Sequence, residues 1–319
     1  MSSYVTRRLA LAVPTLLGAT LLAFVMLRVL PGDVAELILR GEEGSGAALA
    51  TPVEQLRREL GLDRPLWEQY GTWLRDMLTG DFGRSLVSGR SIGQELLHRL
   101  PVTASLAVLA VLLSTAVGVP LGLFSAVRQD TWVDYLVRSW AVFFLGVPTF
   151  WLGLLVLLVG VRQFGWIPPL GYYTPWSDMA RSLEQLVFPA AILASHQAAL
   201  LARMTRSSML EVLREDYLRT ARAKGLPEGT VLVRHALSNA LVPVSTMVFL
   251  NAGTLFAGAV VLEAVFSIPG LGSLYVEALR WRDYTVIQAY VFFVATVFVL
   301  VNLLSDLVYG LLDPRIRHA

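Results

Sequence analysis

Six long apolar runs separated by polar stretches of unequal length set the plan of the chain: Leu9 to Leu30, Ala104 to Val127, Tyr135 to Val161, Leu186 to about Leu201, Leu241 to Phe266 and Val286 to about Leu307. A helix needs roughly 20 residues to cross about 30 Å of hydrocarbon, so each run predicts a membrane span. The fourth reaches that length only by extending its helix into the polar flank. Gly118 to Gly122 supplies the second run with a kink and a small-residue contact surface, and Gly146 and Pro148 interrupt the third. Residues 31 to 100 are soluble in character, with a flexible acidic loop from Gly41 to Gly46 and a helical stretch from Val53 to Leu60. Trp67, Tyr70, Trp73 and Leu74 then recur at helical spacing, which predicts an amphipathic helix with an aromatic face. Such a face suits a membrane interface or a partner protein equally well.

The polar insert from Glu215 to Pro243 stands apart. Tyr217, Leu218, Ala221 and Lys224 fall at helical spacing, and Gly225 followed by Pro227 supplies the stop expected just past a helix C-terminus. The pattern predicts a short helix, a sharp turn and a second helix that climbs back into the fifth run. A short exposed helix tethered at both ends to spans is suited to fit a groove in another protein. An amphipathic interfacial helix is the plainer alternative.

Composition removes whole classes of function. With 55% hydrophobic and 16% charged residues and a mean hydropathy of +0.60, the chain is too apolar for a soluble domain of 319 residues and reads as a polytopic membrane protein. A net charge of +2 gives no nucleic-acid footprint, and the absence of cysteine removes disulfides, thiolate metal sites and cysteine nucleophiles. The first run is expected to be retained, because Arg28 and Pro31-Gly32-Asp33 follow it in place of a small-residue cleavage site. Arginine placement orients the spans. Arg7, Arg8, Arg128, Arg138, the basic residues from Arg203 to Arg234, Arg315 and Arg317 share one side. The short loops opposite carry only Arg162, Arg181, Arg280 and Arg282. The positive-inside rule then predicts both termini in the cytoplasm, and gives little weight to the arginines of the long segment from 31 to 100.

Arg219-Thr220-Ala221-Arg222-Ala223-Lys224-Gly225-Leu226, followed by Arg234-His235-Ala236-Leu237-Ser238-Asn239-Ala240-Leu241-Val242-Pro243, resembles the cytoplasmic coupling loop of permeases in ATP-binding-cassette importers. The wording is similar to the dipeptide and oligopeptide (peptide/nickel) branch, first-permease type. Arg219 and Thr220 stand where the general motif has Glu-Ala, and Ser238 where it often has Pro. Further blocks extend the likeness along nearly the whole chain: Pro31-Gly32-Asp33, Leu60-Gly61-Leu62-Asp63 with Pro65, Gly80-Asp81-Phe82-Gly83 with Ser85, Gly258 to Gly272, and Arg282-Asp283-Tyr284. The resemblance implies an all-α permease with six transmembrane helices of type I importer fold. Residues 1-30 would form the start and first span, 31-100 an external segment, and 101-319 the core with a coupling loop at about 203-238. It implies a second homologous permease, two cytoplasmic ATP-binding subunits and an external solute-binding protein as partners, and peptides as cargo. Nickel, glutathione or oligosaccharide are the alternative cargoes within the same family.

In that setting Tyr217, Leu218, Arg219, Thr220, Ala221, Arg222, Lys224 and Gly225 are the expected coupling residues, with Tyr217, Leu218 and Ala221 as buried contacts to the ATPase. Trp67, Tyr70 and Trp73 are candidates for contact with the binding protein. The chain carries no Gly-x-x-x-x-Gly-Lys-Ser/Thr, its one lysine being Lys224 between Ala223 and Gly225. No cofactor is therefore expected in this chain, and ATP and magnesium are expected in partner subunits. Polar groups inside the apolar runs are costly in hydrocarbon and face a cavity or another helix; here they are His196, Gln197, Asn251, Gln288, Asn302 and Asp306. Glu263 is expected near the outer membrane boundary with access to solvent. Gly89-Arg90-Ser91-Ile92-Gly93 matches the nucleophile pattern of serine hydrolases but lacks a preceding strand. A proton-coupled transporter would need a fuller relay than one histidine and Asp306, and the four scattered histidines form no metal-binding pair.

Overall fold

A computed structural model describes residues 2–29 and 63–312. The features expected at Pro31-Gly32-Asp33, Gly41 to Gly46, Val53 to Leu60 and Leu60-Gly61-Leu62 lie outside the described residues, as do Arg315 and Arg317. The chain is all-α and polytopic. Among the described residues the helices are α1 (Ser2–Val29), α2 (Leu66–Thr79), α3 (Ile92–Val127), α4 (Trp132–Gly146), α5 (Thr149–Phe164), α6 (Met179–Val212), α7 (Asp216–Ala223), α8 (Ser238–Val265), α9 (Leu271–Trp281) and α10 (Tyr284–Leu312). A single turn, Glu228–Thr230, and a π-helix, Val231–Leu237, lead into α8.

Among the described residues, four helical stretches are long and apolar enough to cross a bilayer, namely Ile92–Val127, Met179–Val212, Glu228–Phe256 and Tyr284–Leu303. The pair α4 and α5 makes a fifth if counted together, and α1 contributes the shorter apolar stretch Val13–Val25. The fourth run does extend as length demands. It belongs to a helix of 34 residues that starts where Asp178 accepts a hydrogen bond from the backbone N–H of Arg181, and it carries Pro189 inside. The third run is interrupted at Gly146 and Pro148 as expected: it forms two helices bent by 98°. Pro148 has no N–H to donate and pushes Val147 into extended backbone at ψ 126°, so the helix ends at Gly146 and restarts at Thr149.

The chain divides into two compact units. The larger holds Val102–Gly272 and Val301–Ala319. Its centre is a cluster of Val102, Leu106, Ala110, Leu186, Ala190, Leu193, Ala259, Leu262, Phe266 and Ile268, contributed by α3, α6 and α8 and their flanks. Glycine sets how closely α3 approaches α6: a Cβ on Gly118 would lie 2.7 Å from the Ala198 carbonyl, and one on Gly122 would lie 2.5 Å from that of Ala202. Small residues thus bring two backbones into contact where hydrocarbon gives no hydrophobic drive to pack.

The smaller unit holds Ser2–Pro101 and Ser273–Leu300. Its rings interlock. Phe24 of α1 meets Tyr70 edge-on at 5.3 Å and Trp73 at 6.0 Å, and Trp73 meets Phe292 of α10 at 6.3 Å. Phe82 packs on Phe292 and Phe293. The Tyr70 and Thr20 hydroxyls are hydrogen-bonded at 3.0 Å.

Candidate functional site: the polar loop and its seat

The short helix α7 is seated on the ends of the long helices. α6 runs out at Val212, a tight turn follows, and the Leu218 N–H bonds the Glu215 carbonyl as α7 opens. At its other end the Gly225 N–H donates to Arg222 O at 2.9 Å and the Leu226 N–H to Ala221 O at 3.4 Å, with Gly225 at φ 77°. This is the paired-bond stop that a left-handed glycine makes possible, and Pro227 after it prevents the helix from continuing.

The two faces of α7 differ sharply. Leu218 is fully buried and Ala221 nearly so, packed with Ala126 at the end of α3, Met209 of α6, Val231 and Ala236 of the π-helix, and Ala240 of α8. This corrects the expectation that Leu218 and Ala221 are contacts for a partner. Apolar spacing on a helix this short serves its own seat first. The outward face is polar: Arg219, Thr220, Arg222, Lys224 and Gly225 are all exposed. Arg219 pairs with Asp216 at 3.2 Å, and Arg222 makes a two-point pair with Glu228 at 2.8 and 3.1 Å. The Glu228 carboxylate pushes the Arg222 guanidinium above its already high value.

Tyr217 lies at the edge, 42% exposed. Its hydroxyl accepts from Asn239 Nδ2 at 2.9 Å and donates to the His235 carbonyl at 3.4 Å, while Asn239 Nδ2 also reaches that carbonyl at 2.8 Å. Tyr217 therefore clips α7 to the π-helix, an arrangement of backbone that is rare and concentrates at functional places.

Two buried polar knots escaped the sequence pattern. Asp134, in the first turn of α4, is fully buried. It accepts from Arg206 Nε at 2.7 Å and Nη2 at 2.6 Å, from Ser125 Oγ at 2.5 Å and from the Asp130 N–H at 3.1 Å. Glu263 is also fully buried, which corrects the expectation of solvent access. Its carboxylate accepts from Thr103 Oγ1 at 2.6 Å and from the Gly272 N–H at 2.7 Å, and Thr103 in turn accepts from the Leu271 N–H at 2.8 Å. These bonds satisfy two of the open N–H groups at the start of α9, one of them from Thr103, far away in the chain.

In the smaller unit Tyr70 and Trp73, both half-buried, take part in the internal ring cluster. Trp67 is 73% exposed and keeps an open face. Two of the resembling blocks meet here: Asp283 accepts from Ser85 Oγ at 2.5 Å while capping α10 through Thr285 Oγ1 and the Val286 N–H. A cleft of about 210 Å³ opens beside them, with Ser88, Arg90, Glu95, Arg99, Glu277 and Trp281 on its walls. Ser91, the would-be nucleophile, pairs with Arg84 in an isolated bridge ahead of α3, and no strand precedes it among the described residues.

The polar groups expected along a path are placed separately. His196 and Gln197 adjoin on α6, half-buried and buried, and His196 Nδ1 lies 3.3 Å from the Phe144 carbonyl at the α4 break. Gln288 is buried in the smaller unit, and Asn302 is half-buried on α10. The side chains of Asn251 and Asp306 lie outside the described residues.

Comparison with known proteins covers the whole chain. A family described as the binding-protein-dependent transport system inner membrane component matches residues 118–318, and the N-terminal component of the same system matches residues 1–107. The chain is 40% identical over 338 residues to a dipeptide transport system permease protein of Alkalihalophilus pseudofirmus, spanning all of both chains. It is 43% identical over 319 residues to a putative peptide transport system permease protein of Brucella abortus, again end to end. Against the dipeptide transport system permease protein of Escherichia coli it is 39% identical over 341 residues, covering 100% of this chain and 99% of the other.

Proposed function

The chain belongs to the binding-protein-dependent transport system inner membrane component family, and from that premise we propose that it carries dipeptides or oligopeptides across the bacterial or archaeal plasma membrane. It is a permease subunit of an ATP-driven importer, set in the membrane by several apolar helices. Its relatives named for dipeptide and peptide transport support peptide cargo over nickel, glutathione or oligosaccharide.

One observation carries the mechanism: α7 is fixed by its apolar face to the ends of α3, α6 and α8 and turns a mostly charged face outward. A helix fixed in this way transmits force. A separate ATP-binding subunit grips Arg219, Thr220, Arg222 and Lys224, and closure of two such subunits around ATP and magnesium displaces α7 and the helices on which it rests. The spans then rock between outward-open and inward-open forms beside a second, homologous permease, and cargo from an external binding protein passes between the two. Both termini and α7 lie in the cytoplasm in this arrangement. This chain contributes no nucleotide chemistry of its own.

Reconstitution of the full complex in liposomes tests the reading. Import of labelled dipeptide or oligopeptide that needs ATP, both ATPase subunits and the binding protein is expected. Accumulation of nickel or oligosaccharide with no peptide import overturns the cargo. Import by this chain without an ATPase overturns the mechanism.

A further inference from the structure

The ion pair between Asp134 and Arg206 stands one helical turn from the seat of α7. Arg206 is a turn ahead of Met209, and Ser125 adjoins Ala126; both Met209 and Ala126 pack on Leu218. Asp134 is fully buried and the Arg206 side chain is 21% exposed, yet neither is a lone charge. The guanidinium grips the carboxylate at two points, and Ser125 Oγ and the Asp130 N–H fill its remaining positions. A buried pair of this kind is weak as a source of net stability, because desolvation offsets the attraction, but it fixes one geometry. Its three side chains come from α3, α4 and α6.

From this placement we infer that Asp134 and Arg206 are positioning residues for transport, forming the joint through which displacement of α7 enters α4. The inference rests on the proposed import function and names a part of its linkage. α3 and α6 are in close backbone contact at Gly118 and Gly122. α4 packs along α6, and at its start Asp134 ties it to Arg206 of α6 and to Ser125 of α3. Beyond the joint, α4 runs to the break at Val147, turns by 98° into α5, and Gly153 of α5 packs on Leu262, Val265 and Phe266 at the end of α8. The connection from α7 therefore reaches the far end of α8 through a joint, a rigid helix and a bend. Contiguity alone does not establish coupling, so the joint needs a direct test.

The absence of cysteine makes that test clean. The assembled importer is reconstituted with Asp134→Asn, Arg206→Lys, or the double change Asp134→Cys with Arg206→Cys, and ATP hydrolysis and peptide import are measured on the same liposomes. In Asp134→Asn, import is expected to fall about tenfold while hydrolysis stays within about twofold of the parent, which raises the ATP spent per peptide. Arg206→Lys, which keeps the charge and loses the two-point grip, falls between. Bridging the two introduced thiols with a short bifunctional reagent is expected to return import, because a covalent tie replaces the ionic one. The inference is overturned if Asp134→Asn and Arg206→Lys import like the parent. It is equally overturned if import and hydrolysis fall together with loss of assembled complex in both, or if the bridged pair stays inactive. Absence of peptide import in the unaltered complex is a different failure, that of the proposed function.

Discussion

At the scale of single residues, Gly225 shows how one backbone angle sets a boundary. A Cβ there would meet nothing within 4 Å, so crowding is not what requires glycine; the φ of 77° is. A left-handed conformation costs a branched residue about 1–2 kcal/mol, whereas asparagine tolerates it. Gly225→Val is accordingly expected to loosen the end of α7 and lower ATP-driven import several-fold, and Gly225→Asn to retain most of it, with assembly of the complex as the control. This glycine was legible in the sequence because glycine and proline punctuate locally. Leu218 and Ala221 were legible as an apolar face but not in their direction, since helical spacing does not distinguish the chain's own seat from a partner. Glu263, Asp134 and Arg206 gave no local signal at all. Their partners lie 160 positions away for Glu263 and Thr103, and 72 for Asp134 and Arg206.

Secondary-structure elements were more legible than their junctions. Continuous apolar runs placed α3, α4, α6, α8 and α10, because a backbone in hydrocarbon must satisfy its own hydrogen bonds and a helix is the local way to do so. Gly146 and Pro148 marked where the third run breaks. The 98° angle was not legible, because it depends on how α5 packs against Leu262 and Phe266. The aromatic face of α2 divides in the structure. Trp73 interlocks with Phe24, Tyr70 and Phe292, while Trp67 is open. Trp73→Ala is expected to lower the stability of the purified protein by about 1–3 kcal/mol, less than a fully buried ring would, because Trp73 is only half-buried. Trp67→Ala is expected to leave the melting temperature unchanged. A fall in stability for Trp67→Ala as large as that for Trp73→Ala would contradict the assignment.

In the larger unit one short charged helix, α7, is fixed to the ends of the long helices α3, α6 and α8. Apolar side chains such as Leu112, Val142 and Leu158 stand on outer faces, which is the expected arrangement where lipid replaces water around the protein. The chain carries no Gly-x-x-x-x-Gly-Lys-Ser/Thr, and under the proposed function the work of transport enters from another subunit at α7. The most direct measurement places a single cysteine at the tip of that helix, as Lys224→Cys in a chain that has no other, and treats intact cells and the assembled complex with thiol reagents. The account predicts labelling only from the cytoplasmic side, and a cross-link to the ATP-hydrolysing subunit whose yield changes between nucleotide-free and ATP-bound states. Labelling from outside the cell, or a cross-link to no other subunit in either state, would contradict it.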